Sequence, residues 1–263
     1  MIRMITLFAM GFVSLGALTM ADPFKPFDEY ARNREAGIWN EIKTPEKFLW
    51  IDRLPEAQRQ QKYQQLRNGQ VVLDKGSRKG VSGGLIHHWT GAVYVPGIKL
   101  PQMLTFIKDY NRHATNYAPE LMASKLISNQ GNTYKIYQRY LKKKVLTVVL
   151  DTEHEVKFVD IDPAHAASFG YTTNIQEVDE PGTPKEKKLS YGQDKGFLWK
   201  MNTYWRFVER DGGVYVQCET ISLSRDIPFG LGFIIGRFID SVPRESLVFT
   251  LGRTRDKSKE GRG

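Results

Sequence analysis

The chain has 263 residues, of which 41% are hydrophobic and 12% aromatic, and this composition excludes a disordered chain, a collagen-like repeat and a small disulfide scaffold. Lysine and arginine number 38 against 29 acidic residues, so the formal net charge is +9, which permits nucleic acid, anionic membrane or acidic partners without choosing among them. Cys218 is the one cysteine, so an intramolecular disulfide and a cysteine metal cluster are both excluded.

The first 21 residues have the pattern of a cleaved export signal. A positive start at Arg3 precedes 15 uncharged, mostly apolar residues from Met4 to Leu18, a run that is short for a membrane span. Small residues at Thr19 and Ala21 place the predicted cleavage after Ala21. We therefore expect a periplasmic or secreted protein whose mature chain begins at Asp22.

Residues 22–83 predict a helical extension followed by a linker. Apolar residues between Asp28 and Arg67 recur at helical spacing. Thr44 precedes a proline and is predicted to cap one helix, and a second helix is predicted over Glu56 to Arg67, ended by an Asn-Gly pair. The glycines and basic residues from Lys75 to Gly84 predict a loop or linker.

Residues 84–255 predict a strand-rich domain. A first strand over Leu85 to Val95 is followed by a helix over Leu100 to Tyr110 and a second short helix over Pro119 to Ser124. The following extended runs, separated by turn residues, predict an antiparallel meander: Lys125 to Ser128, Thr133 to Leu141, Val145 to Phe158, Ala167 to Val178, Phe197 to Glu209 and Val214 to Ser224. The break at Lys142 to Lys144 lacks turn residues, which indicates a bulge or a bend.

The chain is predicted to end in helix. An apolar stretch, Phe229 to Ile239, leads to a second segment that begins near Pro243 and has Leu247 and Leu251 in its packing stripe. The basic residues 256–263 are predicted to form a disordered tail.

The order of these elements resembles the helix-grip fold of the START and birch-pollen-allergen superfamily, also called SRPBCC or polyketide-cyclase-like. The stretches that carry the resemblance are Gly84-Leu85-Ile86-His87-His88-Trp89, the helix Leu100 to Tyr110, the aromatic hairpin Phe197 to Ser224, and the ending Ile227-Pro228 through Pro243-Arg244-Glu245-Ser246-Leu247. The last two are most similar to exported bacterial members of that superfamily.

The resemblance implies an α+β fold in which a curved antiparallel sheet of about seven strands wraps around a long C-terminal helix. Members of this fold enclose an apolar cavity, and most bind lipids, sterols or other hydrophobic ligands. Some are cyclases or hydroxylase subunits, so the fold alone does not fix the function. The export signal and the helical extension depart from the usual pattern of the superfamily.

The strand Phe197 to Glu209 supplies most of the candidate ligand-binding residues. Its alternate residues place Trp199, Met201 and Trp205 on one face and polar residues on the other. Large rigid rings suit a cavity wall, and plain core packing explains the same pattern. The residues predicted to wall a ligand cavity are Trp89, Tyr140, His154, Trp199, Met201 and Trp205.

No metal or cofactor site is predicted. Adjacent strand residues point to opposite faces, so His87 and His88 cannot share one metal ion. His154 shares a face with apolar residues, either as the polar feature of an apolar chamber or as a satisfied core histidine. Nothing near His154 in the sequence supplies further ligands at a familiar metal spacing.

No catalytic residues are predicted either. The chain has no Gly-x-Ser-x-Gly elbow, no His-Glu-x-x-His motif and no phosphate-binding glycine loop. Cys218 lies on an apolar face and is interpreted as an inert buried thiol. Arg139 and Glu219 are interpreted as solvated charges on the outer face of the sheet, with a place at the cavity as the other option.

The first hypothesis is therefore an exported binding or carrier protein that holds a hydrophobic small molecule or lipid in an internal cavity. The alternative is a cyclase-like or hydrolase-like enzyme that uses His154 with a nearby carboxylate as acid and base. A third option, a structural protein with a filled core, predicts no cavity.

The basic runs, such as Lys142 to Lys144, predict a solvated surface. Transient contact with an anionic membrane fits an exported protein, with Phe229 to Ile239 as the touching segment, and nucleic acid is not expected as a partner.

Overall fold

The computed structural model describes residues 22–74, 76–143, 146–226 and 232–260, with the side chains of the last range described from residue 241 onward. The predicted export signal and its cleavage after Ala21 lie outside these residues, as do the side chains of the apolar stretch Phe229 to Ile239. The described helices are α1 (Phe24–Glu41), α2 (Glu56–Arg67), α3 (Leu100–Lys108), α4 (His113–Asn116) and α5 (Gly232–Glu260). The described strands are β1 (Val72–Leu73), β2 (Ser77–Val81), β3 (Gly84–Pro96), β4 (Leu121–Gln130), β5 (Thr133–Lys143), β6 (Thr147–Asp162), β7 (His165–Asp179), β8 (Lys187–Leu189), β9 (Lys200–Arg210) and β10 (Gly213–Arg225).

These strands form one antiparallel sheet in the order β1-β3-β10-β9-β7-β6-β5-β4, with β2 paired to β3 and β8 paired to β7. Strands β3, β4, β5, β6, β7, β9 and β10 each have ten residues or more, and the other three are short. The β9–β10 hairpin, closed by a short turn, places Trp205 opposite Cys218. The pairing of β10 with β3, which is distant in the sequence, places Cys218 opposite Gly91.

Helix α5 packs against the inner face of this sheet. It approaches β3 so closely that a Cβ atom on Gly91 would lie 2.7 Å from the Leu251 side chain and 3.4 Å from that of Leu247. Among the described helices, none has the length and apolar character needed to cross a bilayer. A sheet gripping one long C-terminal helix is the predicted α+β helix-grip architecture, which the structure confirms.

The N-terminal extension covers the outer face of the sheet. Phe27, Ala31 and Ile38 form one buried stripe along α1 and join a core cluster with Ile86 and Tyr204 from β3 and β9. The polar side of β9 was predicted to face away from the core. It is buried instead, because the helices cover it, so the sheet has apolar packing on both faces.

Four local predictions were wrong. The linker predicted over Lys75 to Gly84 contains β2, which pairs with β3. The short helix predicted over Pro119 to Ser124 is replaced by α4 upstream and by the first residues of β4. The helix predicted to begin after Thr44 is a single 3-10 turn, Pro45–Lys47, and the Thr44 side chain does not cap it. Strands β5 and β6 pair regularly from Thr133 and Lys157 to Lys143 and Thr147. The bulge or bend predicted at Lys142 to Lys144 reaches residue 144, which lies outside the described residues, so it stays a prediction.

The fourth concerns the C-terminus, where the tail predicted to be disordered over 256–263 is helical as far as Glu260. The last turns of α5 are held by contacts distant in sequence. Thr254 is fully buried and hydrogen-bonds the hydroxyl of Tyr117 at 2.9 Å, and Arg253 donates to the carbonyl of Asn116 at 2.8 Å. Charge composition suggested a free tail because these tertiary partners are not visible in the local sequence.

Candidate functional site

A cavity of about 280 Å³ lies between the inner face of the sheet and helices α3, α4 and α5. This volume is close to the lower end of the range of about 300–1,000 Å³ that is usual for small-molecule pockets. Its apolar wall is formed by Ile107, Tyr110, Leu121, Ile136, Val148, Leu150, Val156, Phe197, Leu198, Met201, Trp205, Leu247 and Phe249. Side chains of this kind favour an apolar ligand.

Strand alternation builds the wall. Along β10, Cys218, Thr220 and Ser222 line the cavity, whereas the intervening Glu219 and Ile221 face the N-terminal extension. The cavity and the packing of the extension therefore share the same strands.

Four of the predicted ligand-binding residues come together in this cavity: Tyr140, His154, Met201 and Trp205. They come from β5, β6 and β9, so the sheet topology unites residues that are up to 65 positions apart in the chain. Their proximity makes a common ligand geometrically feasible, and their role in binding stays a prediction.

Trp89 and Trp199 lie outside the lining of the cavity. Although Trp89 has the inward parity of β3, its indole packs against Gly76 near the sheet edge, where a Cβ atom would lie 2.4 Å from the ring. Trp199 precedes β9, its Nε1 donates to Asp194 at 3.1 Å, and its ring contacts Phe24 of α1. Alternation identifies the face on which Trp89 lies but not its position near the covered edge of the sheet. It does not apply to Trp199, because this residue lies before β9 begins.

His154 is buried in the cavity wall and its environment determines its chemistry. Thr152 Oγ1 donates to the Gln138 carbonyl at 3.1 Å and lies 2.8 Å from His154 Nε2, so this hydroxyl accepts the Nε2 proton. Burial lowers the pKa of His154 to about 4, so the imidazole is neutral at pH 7. Burial is the sole cause of this shift. Among the described residues, no carboxylate hydrogen-bonds to His154 of the kind that the enzyme alternative requires.

His113 is a second buried imidazole of the cavity, and no sequence pattern indicated it because α4 was not predicted. Its Nε2 donates to the Ile107 carbonyl at 3.0 Å, so Nδ1 is free to accept from Gln138 Nε2 at 3.5 Å. Gln138 Oε1 in turn accepts from the hydroxyl of Tyr140 at 2.5 Å. Burial lowers the pKa of His113 to about 4, although the Ile107 contact opposes this shift. His154, His113, Gln138 and Tyr140 are thus neutral and hydrogen-bonded.

One end of the cavity carries charge. Glu120 and Lys142 form an ion pair there, and both side chains are partly exposed, so this end faces solvent. Cys218 also lines the cavity, and burial raises the pKa of its thiol, which keeps it protonated. This environment agrees with the interpretation of Cys218 as an inert thiol.

The interpretation of Glu219 as a solvated charge was wrong, whereas the Arg139 side chain is 21% exposed and lies outside the cavity lining. Glu219 is 1% exposed and accepts hydrogen bonds from Arg34 at 2.5 Å and His88 at 2.8 Å. Burial alone would raise the pKa of Glu219, but these donors lower it to about 2. Arg139 pairs with the buried Asp151 at 2.6 Å. Sequence alternation identifies the outer face of the sheet, and it cannot show that other elements cover that face.

His87 and His88 lie on opposite faces, as predicted. His87 lines the cavity, where its Nε2 is 3.2 Å from Ser224 Oγ, and His88 lies among the charges under the extension.

No protein-family profile matches the sequence, and no curated protein matches it either. The structure matches a STAR-related lipid transfer protein from Xanthomonas axonopodis, at 16% identity and a TM-score of 0.48, over 71% of this chain and 99% of that one. It also matches the Zhui aromatase/cyclase from Streptomyces sp. R1128, at 12% identity and a TM-score of 0.44, over 66% of this chain and 94% of that one. The match to human STARD10 has 9% identity and a TM-score of 0.43, over 84% of this chain and 87% of that one. A START superfamily protein from Mycobacterium smegmatis is a further match, at 8% identity and a TM-score of 0.43, over 66% of this chain and 97% of that one.

Proposed function

We propose that the protein is exported and that it binds or carries a hydrophobic small molecule or lipid in the cavity between the sheet and α5. The observation that carries this proposal is the chemistry of the cavity. It is about 280 Å³ in volume, its wall is mostly apolar, and its buried histidines His113 and His154 are neutral. An apolar ligand gains free energy by leaving water for such a chamber.

The neutral polar groups narrow the class of ligand. Thr152, His154, Gln138 and Tyr140 already satisfy one another in part, so a fully charged ligand would find no counter-charge among them. We therefore expect a ligand that is largely apolar and carries at most a few hydroxyl or carbonyl groups. We expect any polar end of the ligand to lie beside the Glu120–Lys142 ion pair at the exposed end of the cavity.

Native mass spectrometry of the protein purified from its own producing cells, without detergent, tests this function. We expect a discrete adduct that organic extraction releases as a hydrophobic molecule. A clean apo mass, together with no uptake from a lipid extract of the same cells, would contradict the proposal.

A matched pair of variants locates the ligand. Met201→Trp adds bulk inside the cavity, so it should abolish uptake, whereas Trp199→Phe alters a ring outside the cavity lining and should leave uptake unchanged. Circular dichroism checks that both variants are folded. Equal uptake by both would show that the ligand binds elsewhere.

The proposed export is tested separately. The first residue of the protein recovered from the periplasm or the medium should be Asp22, because the small residues at Thr19 and Ala21 suit a signal peptidase. Recovery of the protein only with residues 1–21 attached would contradict the proposed cleavage.

A further inference from the structure

A second crevice lies on the opposite face of the sheet from the cavity. Its volume is about 240 Å³, and α1, the turn Trp50–Arg53, β2, β3 and β10 surround it. Its lining includes Arg34, Trp50, Arg53, Ser77, His88 and Glu219. Unlike the cavity, it is polar and lies beneath the N-terminal extension.

Guanidinium groups outnumber the carboxylates in the ion-pair cluster at this crevice. Arg34, Arg53 and Arg206 all pair with Glu41, and two of them also pair with Glu219. Within these ion pairs three guanidinium groups share two carboxylates. Asp74, which has a partner of its own, is a further carboxylate in the lining of the crevice.

Arg53 has guanidinium N–H groups that its ion pair with Glu41 does not occupy. In its described contacts, it pairs with Glu41 through Nη1 alone, and its side chain is 30% exposed. A guanidinium carries five N–H donors in a fork that suits planar or tetrahedral oxyanions. Arg34 differs, because Nε, Nη1 and Nη2 all donate to Glu41 or Glu219.

Trp50 supplies an independent observation. It is 6% exposed and lines the crevice, and its indole Nε1 has no hydrogen-bond acceptor among the described residues. Its backbone nitrogen donates to Gln217 Oε1 at 2.8 Å, so the backbone is anchored to β10 while the indole donor stays unpaired. Arg206 Nε and Gln217 Nε2, on neighbouring strands behind Trp50, are likewise buried donors without an acceptor in the described part of the chain. Buried donors normally have partners, and of these three residues Trp50 is the one that lines the crevice, so its indole N–H is the donor that an acceptor in the crevice would satisfy.

We propose that this crevice is a binding site for a small soluble oxyanion, a carboxylate or phosphate group, held by the guanidinium of Arg53 and the indole N–H of Trp50. Such an anion accepts from the N–H groups that Arg53 does not direct at Glu41 and satisfies a buried donor at once. The neighbouring carboxylate of Glu219 does not oppose it, because Arg34 already pairs with that carboxylate and donates to both of its oxygens. This site is independent of the apolar cavity, since adjacent residues such as His87 and His88 point one to each site.

Isothermal titration with inorganic phosphate, and separately with acetate, tests the site at constant ionic strength set by chloride. We expect saturable binding of at least one of the two anions at one site per chain. Arg53→Gln should weaken it by at least about tenfold, because a charge-assisted hydrogen bond is lost. Arg59→Gln is the matched control, since Arg59 pairs with Glu56 on the surface of α2, and it should bind like the unaltered protein.

Trp50→Phe is the second variant, because it keeps an aromatic ring and the backbone anchor but removes the N–H donor. It should also weaken anion binding while uptake of the apolar ligand stays unchanged. The absence of saturable binding with both anions would overturn the proposal. Equal affinity in the unaltered protein, Arg53→Gln and Trp50→Phe would overturn it too. If Arg53→Gln does not fold, Trp50→Phe decides the outcome.

Discussion

Side chains of adjacent residues experience opposite environments in this sheet. Thr220 and Glu219 are neighbours on β10, but one lines an apolar cavity and the other lies in a cluster of ion pairs. The buried histidines follow the same logic. His154 and His113 have neutral surroundings and low pKa values, whereas His88 Nε2 donates to the Glu219 carboxylate and His88 Nδ1 lies 2.8 Å from the Tyr30 hydroxyl. Environment, rather than residue type, decides what each imidazole can do.

The low pKa values of His154 and His113 make the folded protein sensitive to mild acid. Each imidazole titrates near 6.5 when the chain is unfolded and near 4 when it is folded, so the unfolded state binds more protons between these values. Stability is therefore lost as the pH falls from about 6.5 towards 4. Each histidine should contribute a loss of about 2 kcal/mol in the free energy of unfolding between pH 7 and pH 5.

Urea unfolding at pH 7 and at pH 5 measures this loss. His154→Gln keeps a donor for Thr152 but does not titrate, so the difference between the two pH values should shrink by about 2 kcal/mol. Glu219 and Asp151 have pKa values of about 2, so the stability that they contribute is lost mainly below pH 5 and does not obscure the measurement. Identical pH dependence in the variant and the unaltered protein would show that His154 is not buried in its neutral form.

Among the secondary-structure elements, α1 is the one that covers the outer face of the sheet and buries its side chains. Phe27 is fully buried, and Trp39 stacks on Phe169 of β7 with ring centroids 4.5 Å apart. Phe27→Ala should lower the free energy of unfolding by about 3–5 kcal/mol through lost burial and a new void. The exposed Asn33 on the same helix is the control, and Asn33→Ala should change stability by no more than about 0.5 kcal/mol. Similar urea midpoints for both variants would mean that α1 does not dock on the sheet.

Local sequence patterns predicted the helices and strands whose ends are determined by residues close to them in the sequence. Helix α2 has the predicted bounds, because a proline precedes it and Gly69 ends it with a φ of +79°. The six runs predicted after residue 124 correspond to the long strands β4 to β7, β9 and β10. By contrast, β2 is largely exposed and exists through its pairing with β3, and the end of α5 is held by Tyr117 and Asn116. Contacts distant in the sequence leave no periodic pattern to detect.

The candidate site, like the fold, was predicted where local sequence patterns determine it and missed where contacts distant in the sequence determine it. Alternation alone placed Met201, Trp205 and His154 on the inner face, because these residues lie well inside regular strands. Alternation also identified the outer residues Arg206 and Glu219, but their burial depends on α1, which covers them from 165 or more positions away in the sequence. The polar crevice was therefore absent from the sequence-based expectations.

Considered as a whole, the molecule has one sheet that serves as a wall for two interiors. The core under the extension includes Ile86, Tyr204 and Ile221, and the core around α5 includes Val93, Phe207 and Cys218, from the same three strands. If strands β3, β9 and β10 came apart, the apolar residues of both cores would be exposed to water. The division into residues 22–83 and 84–255 therefore separates segments of the sequence that share their cores in the structure.

The shared wall predicts that the extension and the sheet unfold as one cooperative unit. A pulse of protease applied along a urea series should convert intact chain into small peptides at one midpoint, the midpoint that circular dichroism also gives. If the extension unfolded first, a resistant fragment lacking residues 22–83 would accumulate at intermediate urea, and the two methods would give different midpoints. Phe27→Ala makes the test sharper, since weakening α1 should move the single midpoint of the whole chain to lower urea. A fragment released only in that variant would mean that the burial of Phe27 stabilises the extension alone.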